Sequence, residues 1–209
     1  MKIKICGMTQ LDDALAALRY GADYLGFVFY AGSSRAVTSE QVRQITRHLP
    51  NETQTVGVFV DVTASAARVI ADECRLTVIQ LHGREHARDF HDFPLPVWRA
   101  VQFRDGDPFP SPDQWPAARY VADRRAEGAG HTGGTGLVTD WAAAARLAAS
   151  VPVMLAGGLT PHNVAAAVAK VRPYGVDTAG GVEIPGKPGY KDHAIMRRFI
   201  EIARSYDDM

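Results

Sequence analysis

A chain of 209 residues, 46% hydrophobic and 22% charged, has the length and apolar content for a sizeable core. Its 23 basic and 23 acidic side chains cancel, which argues against a nucleic-acid binder or an anionic-membrane protein with a broad positive field. Two cysteines in unlike contexts, Cys6 and Cys74, make no disulfide framework, and no apolar run is long enough to span a bilayer.

The chain opens on a polar-apolar strand at Lys2–Ile5 and lacks the apolar centre of a signal peptide, so a cytoplasmic location is expected. Gly7 breaks that strand, and a helix with Thr9 or Asp12 as its cap is expected to run to Tyr20. This places Cys6 at the carboxyl end of strand one, facing a helix N-terminus whose dipole favours a thiolate. Residues 24–29 form an apolar strand covered on both faces, and residues 30–37 a loop carrying Ser33, Ser34 and Arg35. Thr38 and Gln41 then offer a capping box to a helix running towards His48.

Residues 55–60 are the third strand, 64–74 a helix, and 77–81 a fourth strand ending in His82-Gly83. A short polar helix is expected around residues 85–90, then a fifth strand over 96–102. Four prolines within residues 105–116 allow at most a short helix after it. Strand six covers 120–123, a glycine-rich loop covers 128–136, and Asp140 caps a helix to Ser150. Strand seven, 151–156, ends in Gly157-Gly158, with Thr160-Pro161 opening the next helix. Strand eight, 175–177, leads into Thr178-Ala179-Gly180-Gly181, and a last helix covers 192–206.

Strands alternating with helices imply parallel βαβ units, in a doubly wound sheet or a closed (β/α)₈ TIM barrel. Eight strand-like runs without a domain break favour the barrel, as one α/β domain over residues 1–209 with lean loops. In such barrels the site is built at the carboxyl ends of the strands. There the sequence puts Cys6, Arg35, Asp61, His82, Gln102, Asp123, Gly157-Gly158 and Asp177 with Ala179-Gly180. Glycine pairs after the last two strands suit a phosphate held by main-chain amides, with Gly157, Gly158, Ala179 and Gly180 as its residues. Cys6 offers a base and Asp123 an acid for proton transfer at carbon and oxygen. The histidines lack metal-ligand spacing, and no Walker or dinucleotide motif follows a strand, so no metal and no cofactor is expected.

Several stretches resemble the phosphoribosylanthranilate isomerase family: Lys4-Ile5-Cys6-Gly7-Met8-Thr9, Gln80-Leu81-His82-Gly83, Gly133-Gly134-Thr135-Gly136, and Leu155-Ala156-Gly157-Gly158-Leu159-Thr160-Pro161. The match continues through Gly175-Val176-Asp177, Gly181-Val182-Glu183 and Lys191-Asp192. The resemblance implies a metal-free Amadori rearrangement in tryptophan biosynthesis, with N-(5-phosphoribosyl)anthranilate opened by Asp123 as acid and deprotonated at C2 by Cys6. It also implies that Arg35 meets the anthranilate side, Asp177 contacts substrate, and His82 lines the mouth. The implied partner is a small phosphorylated substrate, without nucleic acid or membrane, acting on a monomer or homodimer. The alternatives are a histidine-pathway or bifunctional sugar isomerase, or a degenerate barrel that only binds a phosphorylated ligand.

The sequence departs from the family pattern at four places. Ala179-Gly180 replaces a serine pair, Leu137 a lysine, Ser34 a proline before Arg35, and Arg124-Arg125 uncharged residues. Alternation along an extended strand puts Arg125 on the side of Asp123, which makes it a candidate second anchor for the anthranilate carboxylate.

Overall fold

The computed structural model describes residues 1–123 and 139–206. Among them eight parallel strands close on themselves: β1 (Lys2–Ile5), β2 (Tyr24–Val28), β3 (Gln54–Phe59), β4 (Val78–Leu81), β5 (Val97–Arg104), β7 (Arg119–Ala122), β8 (Val153–Leu155) and β9 (Gly175–Thr178). The sheet order β4-β3-β2-β1-β9-β8-β7-β5 is sealed by pairing of β4 with β5, so no edge is left among these strands. Between them pack α1 (Leu11–Tyr20), α2 (Ser39–Thr46), α3 (Ala64–Glu73), α4 (Trp141–Ala148) and α5 (Val164–Val171), and α6 (His193–Arg204) follows β9. Each strand is buried on both faces, which is why most read as unbroken apolar runs.

Alternation along the strands sorts the side chains into two cores. Ile3, Ile5, Leu25, Phe27, Val176 and Phe199 belong to the outer core between strands and helices. Tyr24, Val56, Val78, Trp98, Val121 and Met154 fill the barrel interior, with Tyr24 edge-on to Trp98 at a centroid distance of 4.9 Å. Polar groups enter the interior at its carboxyl end, where Lys4, Gln80 and Asp177 are buried.

One element was not expected and two local expectations are revised. Residues 105–116 hold no helix, within the expected limit, but β5 runs on to Arg104 and folds back as the antiparallel strand β6 (Asp107–Phe109). Asp105 (φ 53°) and Gly106 (φ 88°) make the two-residue turn, both in the left-handed region that such hairpins require. Asp-Gly was the signal for it, outweighed in the sequence reading by the prolines. α1 starts at Leu11 with Gln10 at its cap position and no side-chain cap, because the Thr9 hydroxyl donates to the Gly189 carbonyl instead (2.6 Å). The polar helix near residue 85 shrinks to a 3₁₀ turn, Ala87–Phe90, since Glu85 is buried against Arg99 (2.8 Å).

The caps at Thr38 and Asp140 form as expected, Thr38 in a full capping box with Gln41, and Asp192 caps the last helix rather than opening it. At Thr160 the capping bonds form (His162 N–H to its Oγ1, 3.2 Å; its own N–H to Asn163 Oδ1, 2.8 Å), but the regular helix begins only at Val164.

Candidate active site

The carboxyl ends of the strands open into a cavity of about 1150 Å³ lined by Cys6, Arg35, His82, Asp123, Gly157, Gly158, Asp177, Ala179 and Gly180, which are the sequence candidates apart from Arg125. Its strand order separates them in an informative way. Cys6 follows β1 and Asp123 follows β7, with β8 and β9 between them in the ring. The two glycine-rich loops therefore stand between the proposed base and the proposed acid.

Cys6 lies 8% exposed at the cavity wall. It shares an inward face with Lys4 two residues earlier, which is fully buried and donates from Nζ to Asp177 Oδ2 at 2.7 Å. Gly26 on β2 makes room for both: a Cβ there would stand 2.7 Å from Cys6 Sγ and 3.0 Å from Lys4 Cε. Burial pushes the Cys6 thiol above its ordinary value and Asp177 adds to this, while Lys4 and Lys191 pull it down. The regular helix that was to favour a thiolate begins five residues on, at Leu11, so side-chain cations supply most of that pull. Burial works against the charge on Lys4, yet Asp177 and Cys6 outweigh it and hold the amine protonated.

Arg35 is fastened beside Cys6 by Glu183, Nε to Oε1 and Nη2 to Oε2 at 2.7 Å each. Glu183 also accepts from Lys191 Nζ and from the Gly189 N–H, both at 3.0 Å to Oε1. Against its burial, Arg35 and Lys191 hold the Glu183 carboxyl down at about 2. Lys191 Nζ further donates to the carbonyls of Cys6 (2.7 Å) and Ala179 (3.1 Å), tying the ends of β1 and β9 together. Bidentate pairing leaves Arg35 Nη1 without a hydrogen bond among the described residues, a donor for a bound anion.

Two buried acceptors without a partner mark the cavity: Asp177 Oδ1 and Gln80 Oε1. An orphaned buried oxygen costs free energy unless a ligand or water donates to it, so both suit substrate hydroxyls. His82 is kept neutral, pushed down to about 3 by burial and by the cations Lys4 and Arg99. It can give or take one hydrogen bond but carries no charge at physiological pH.

The glycine flank is of another kind. Gly157 (φ 83°) and Gly158 (φ 68°) are both left-handed, a backbone that other residues adopt only under strain. Among the described residues the N–H groups of Gly157, Gly158 and Ala179 make no hydrogen bond, and all three residues line the cavity. Thr178 Oγ1 donates to the Leu159 carbonyl at 2.7 Å, which fixes one loop against the other. Leu137, Arg124, Arg125 and Gly133 to Gly136 lie outside the described residues.

Sequence reading missed Lys4, Glu183 and Lys191 as parts of the site. Lys4 had a signal: a lysine between isoleucines, in phase with Cys6 on a strand buried on both faces. Glu183 and Lys191 stood in stretches that resemble the family, but nothing local gave them a role, because each is brought to the mouth by the loop after β9.

The family model described as N-(5'phosphoribosyl)anthranilate (PRA) isomerase matches residues 3–202. The N-(5'-phosphoribosyl)anthranilate isomerase of Pseudomonas fluorescens (strain Pf0-1) is 45% identical over 206 residues, covering 98% of each chain. The crystal structure of phosphoribosyl anthranilate isomerase from Thermus thermophilus is similar with a TM-score of 0.84 at 35% identity, over 99% of this chain and 100% of that one. A further structure, a phosphoribosyl anthranilate isomerase in complex with reduced 1-(o-carboxyphenylamino)-1-deoxyribulose 5-phosphate, has a TM-score of 0.81 at 30% identity, over 98% and 99% of the two chains.

Proposed function

The chain belongs to the N-(5'-phosphoribosyl)anthranilate isomerase family, and from that membership we propose how its own residues divide the reaction. The enzyme converts N-(5'-phosphoribosyl)anthranilate into 1-(2-carboxyphenylamino)-1-deoxyribulose 5-phosphate, a step of tryptophan biosynthesis. Its phosphate sits on the N–H groups of Gly157, Gly158, Ala179 and Gly180, where left-handed glycines leave the amides open to an anion. Asp177 Oδ1 accepts from a sugar hydroxyl, and Arg35 Nη1 faces the anthranilate carboxylate. Neutral His82 closes the wall beside them.

With the phosphate so placed, the sugar lies between the ends of β1 and β7. Asp123 gives its proton to the ring oxygen as the C1–O bond breaks, and the nitrogen lone pair forms the C1=N iminium. The Cys6 thiolate takes the C2 proton, and the C–H electron pair becomes the C1=C2 bond of an enolamine, discharging the iminium. Tautomerisation places a proton on C1 and leaves the C2 ketone. Each proton transfer by a positioned group contributes about 10²–10⁴-fold.

The observation that carries this reading is the placement of Cys6 and Asp123 on one cavity, on either side of the two glycine loops. The test uses freshly generated phosphoribosylanthranilate, whose fluorescence falls on conversion. Wild-type protein should quench it, while Cys6→Ala and Asp123→Asn, with unchanged far-ultraviolet dichroism, should not. A Cys6→Ala variant with more than about a tenth of wild-type kcat has lost only about 1.4 kcal/mol of barrier stabilisation, too little for the base.

A further inference from the structure

Lys4 is a fully buried cation that the proton transfers above do not use. Its surroundings hold a definite balance of charge. Around Cys6 stand three cations, Lys4 on β1, Arg35 after β2 and Lys191 before α6, against two carboxylates, Asp177 on β9 and Glu183 after it. His82, just after β4, is neutral. The cluster therefore has one positive charge in excess while the thiol is protonated, and none once Cys6 is a thiolate.

The excess is not spread evenly. Arg35 spends two donors on Glu183, and Lys191 spends its amine on Glu183 and two carbonyls. Among the described residues the Lys4 amine donates one hydrogen bond, to Asp177, and carries two further N–H donors in a space shared with Cys6 Sγ. Gly26 is the reason that this space exists: any larger residue there would press on both the sulfur and the end of the lysine.

We propose that Lys4 is a positioning residue for Cys6, a buried counter-cation that favours the thiolate against the burial that disfavours it, with Asp177 holding its amine in place. The proposal rests on the reading of Cys6 as the base. Lys4 neither gives nor takes a proton in the cycle. When Cys6 accepts the C2 proton and becomes neutral, the lysine charge falls back on Asp177. That arrangement keeps the thiolate basic, because its stabiliser is shared rather than dedicated.

The test reads Cys6 without substrate. Alkylation by iodoacetamide is followed against pH by the mass of the Cys6 peptide, which separates it from Cys74. The Lys4→Met variant should move the midpoint upward by about 1–3 pH units, the range for removing an opposite charge at close range. A folded Lys4→Met protein with an unmoved midpoint overturns the proposal. If that variant lacks a cooperative melt, Asp177→Asn decides: taking away the carboxylate should lower the midpoint, and an unmoved or raised one overturns it. Failure of the underlying reading looks different, since there Cys6→Ala would still turn over substrate, whatever the midpoints do.

Discussion

The two flanks of the mouth are built from different material. On the Cys6 flank, Lys4 is bound to Asp177, and Arg35 and Lys191 to Glu183, through side chains buried to within a tenth of their surface. On the β8–β9 flank the groups offered to a ligand are main-chain amides, held out by two left-handed glycines and backed by Thr178. The first flank needs groups whose charge and basicity can be set, for proton transfer. The second needs only a fixed ring of donors for a group that does not react. Damage to them should differ accordingly: on one flank kcat and stability, on the other KM.

The largest effect belongs to the reacting groups. Cys6→Ala, Cys6→Ser and Asp123→Asn are each expected to lower kcat by about 10²-fold or more in the fluorescence assay. Next in size is the buried pair. Arg35→Met leaves the Glu183 carboxylate facing only Lys191 and the Gly189 amide, and should cost about 3–5 kcal/mol of stability in urea unfolding at pH 7. A loss below about 1 kcal/mol would place the pair with weak surface bridges and undo the contrast between the flanks.

On the amide flank the changes are smaller and should fall on KM. Gly157→Ala forces a left-handed alanine, a strain of about 1–2 kcal/mol, and should raise KM with kcat nearly unchanged. Ala179→Ser with Gly180→Ser adds hydroxyl donors for the phosphate and should lower KM by about 0.5–3 kcal/mol in binding terms. A worse KM would mean that the loop holds phosphate without room for them.

The smallest effects are in pH. Glu183 is held at about 2, below its ordinary 4.5, so its contribution is present above pH 4.5 and is lost as pH falls towards 2. Glu183→Gln should flatten the stability profile across that window. His82 acts at higher pH: between 6.5 and about 3 the unfolded chain binds a proton that the folded chain refuses. Stability therefore rises with pH there, and His82→Asn should remove that slope.

Much of this was legible in the chain. Alternation at β1, apolar runs at β2 and β3, and caps at Thr38 and Asp140 are local, and local rules held for them. The β5–β6 hairpin was legible too, in Asp105-Gly106, but prolines read as a break hid a strand that tolerates them at its edge.

By itself the sequence determined the alternation of strands and helices and the polar residues that end each strand, because both are set by neighbours a few residues apart. What only the tertiary structure decided is which charges meet. Asp177 lies 173 residues from Lys4 and Glu183 lies 148 from Arg35, pairings set by closure of the barrel and by the loop after β9. Closure buried them together, and burial turned a lysine on strand one into a counter-cation beside the thiol, for in a dry interior a charge is stabilised only by the partners that the fold puts beside it.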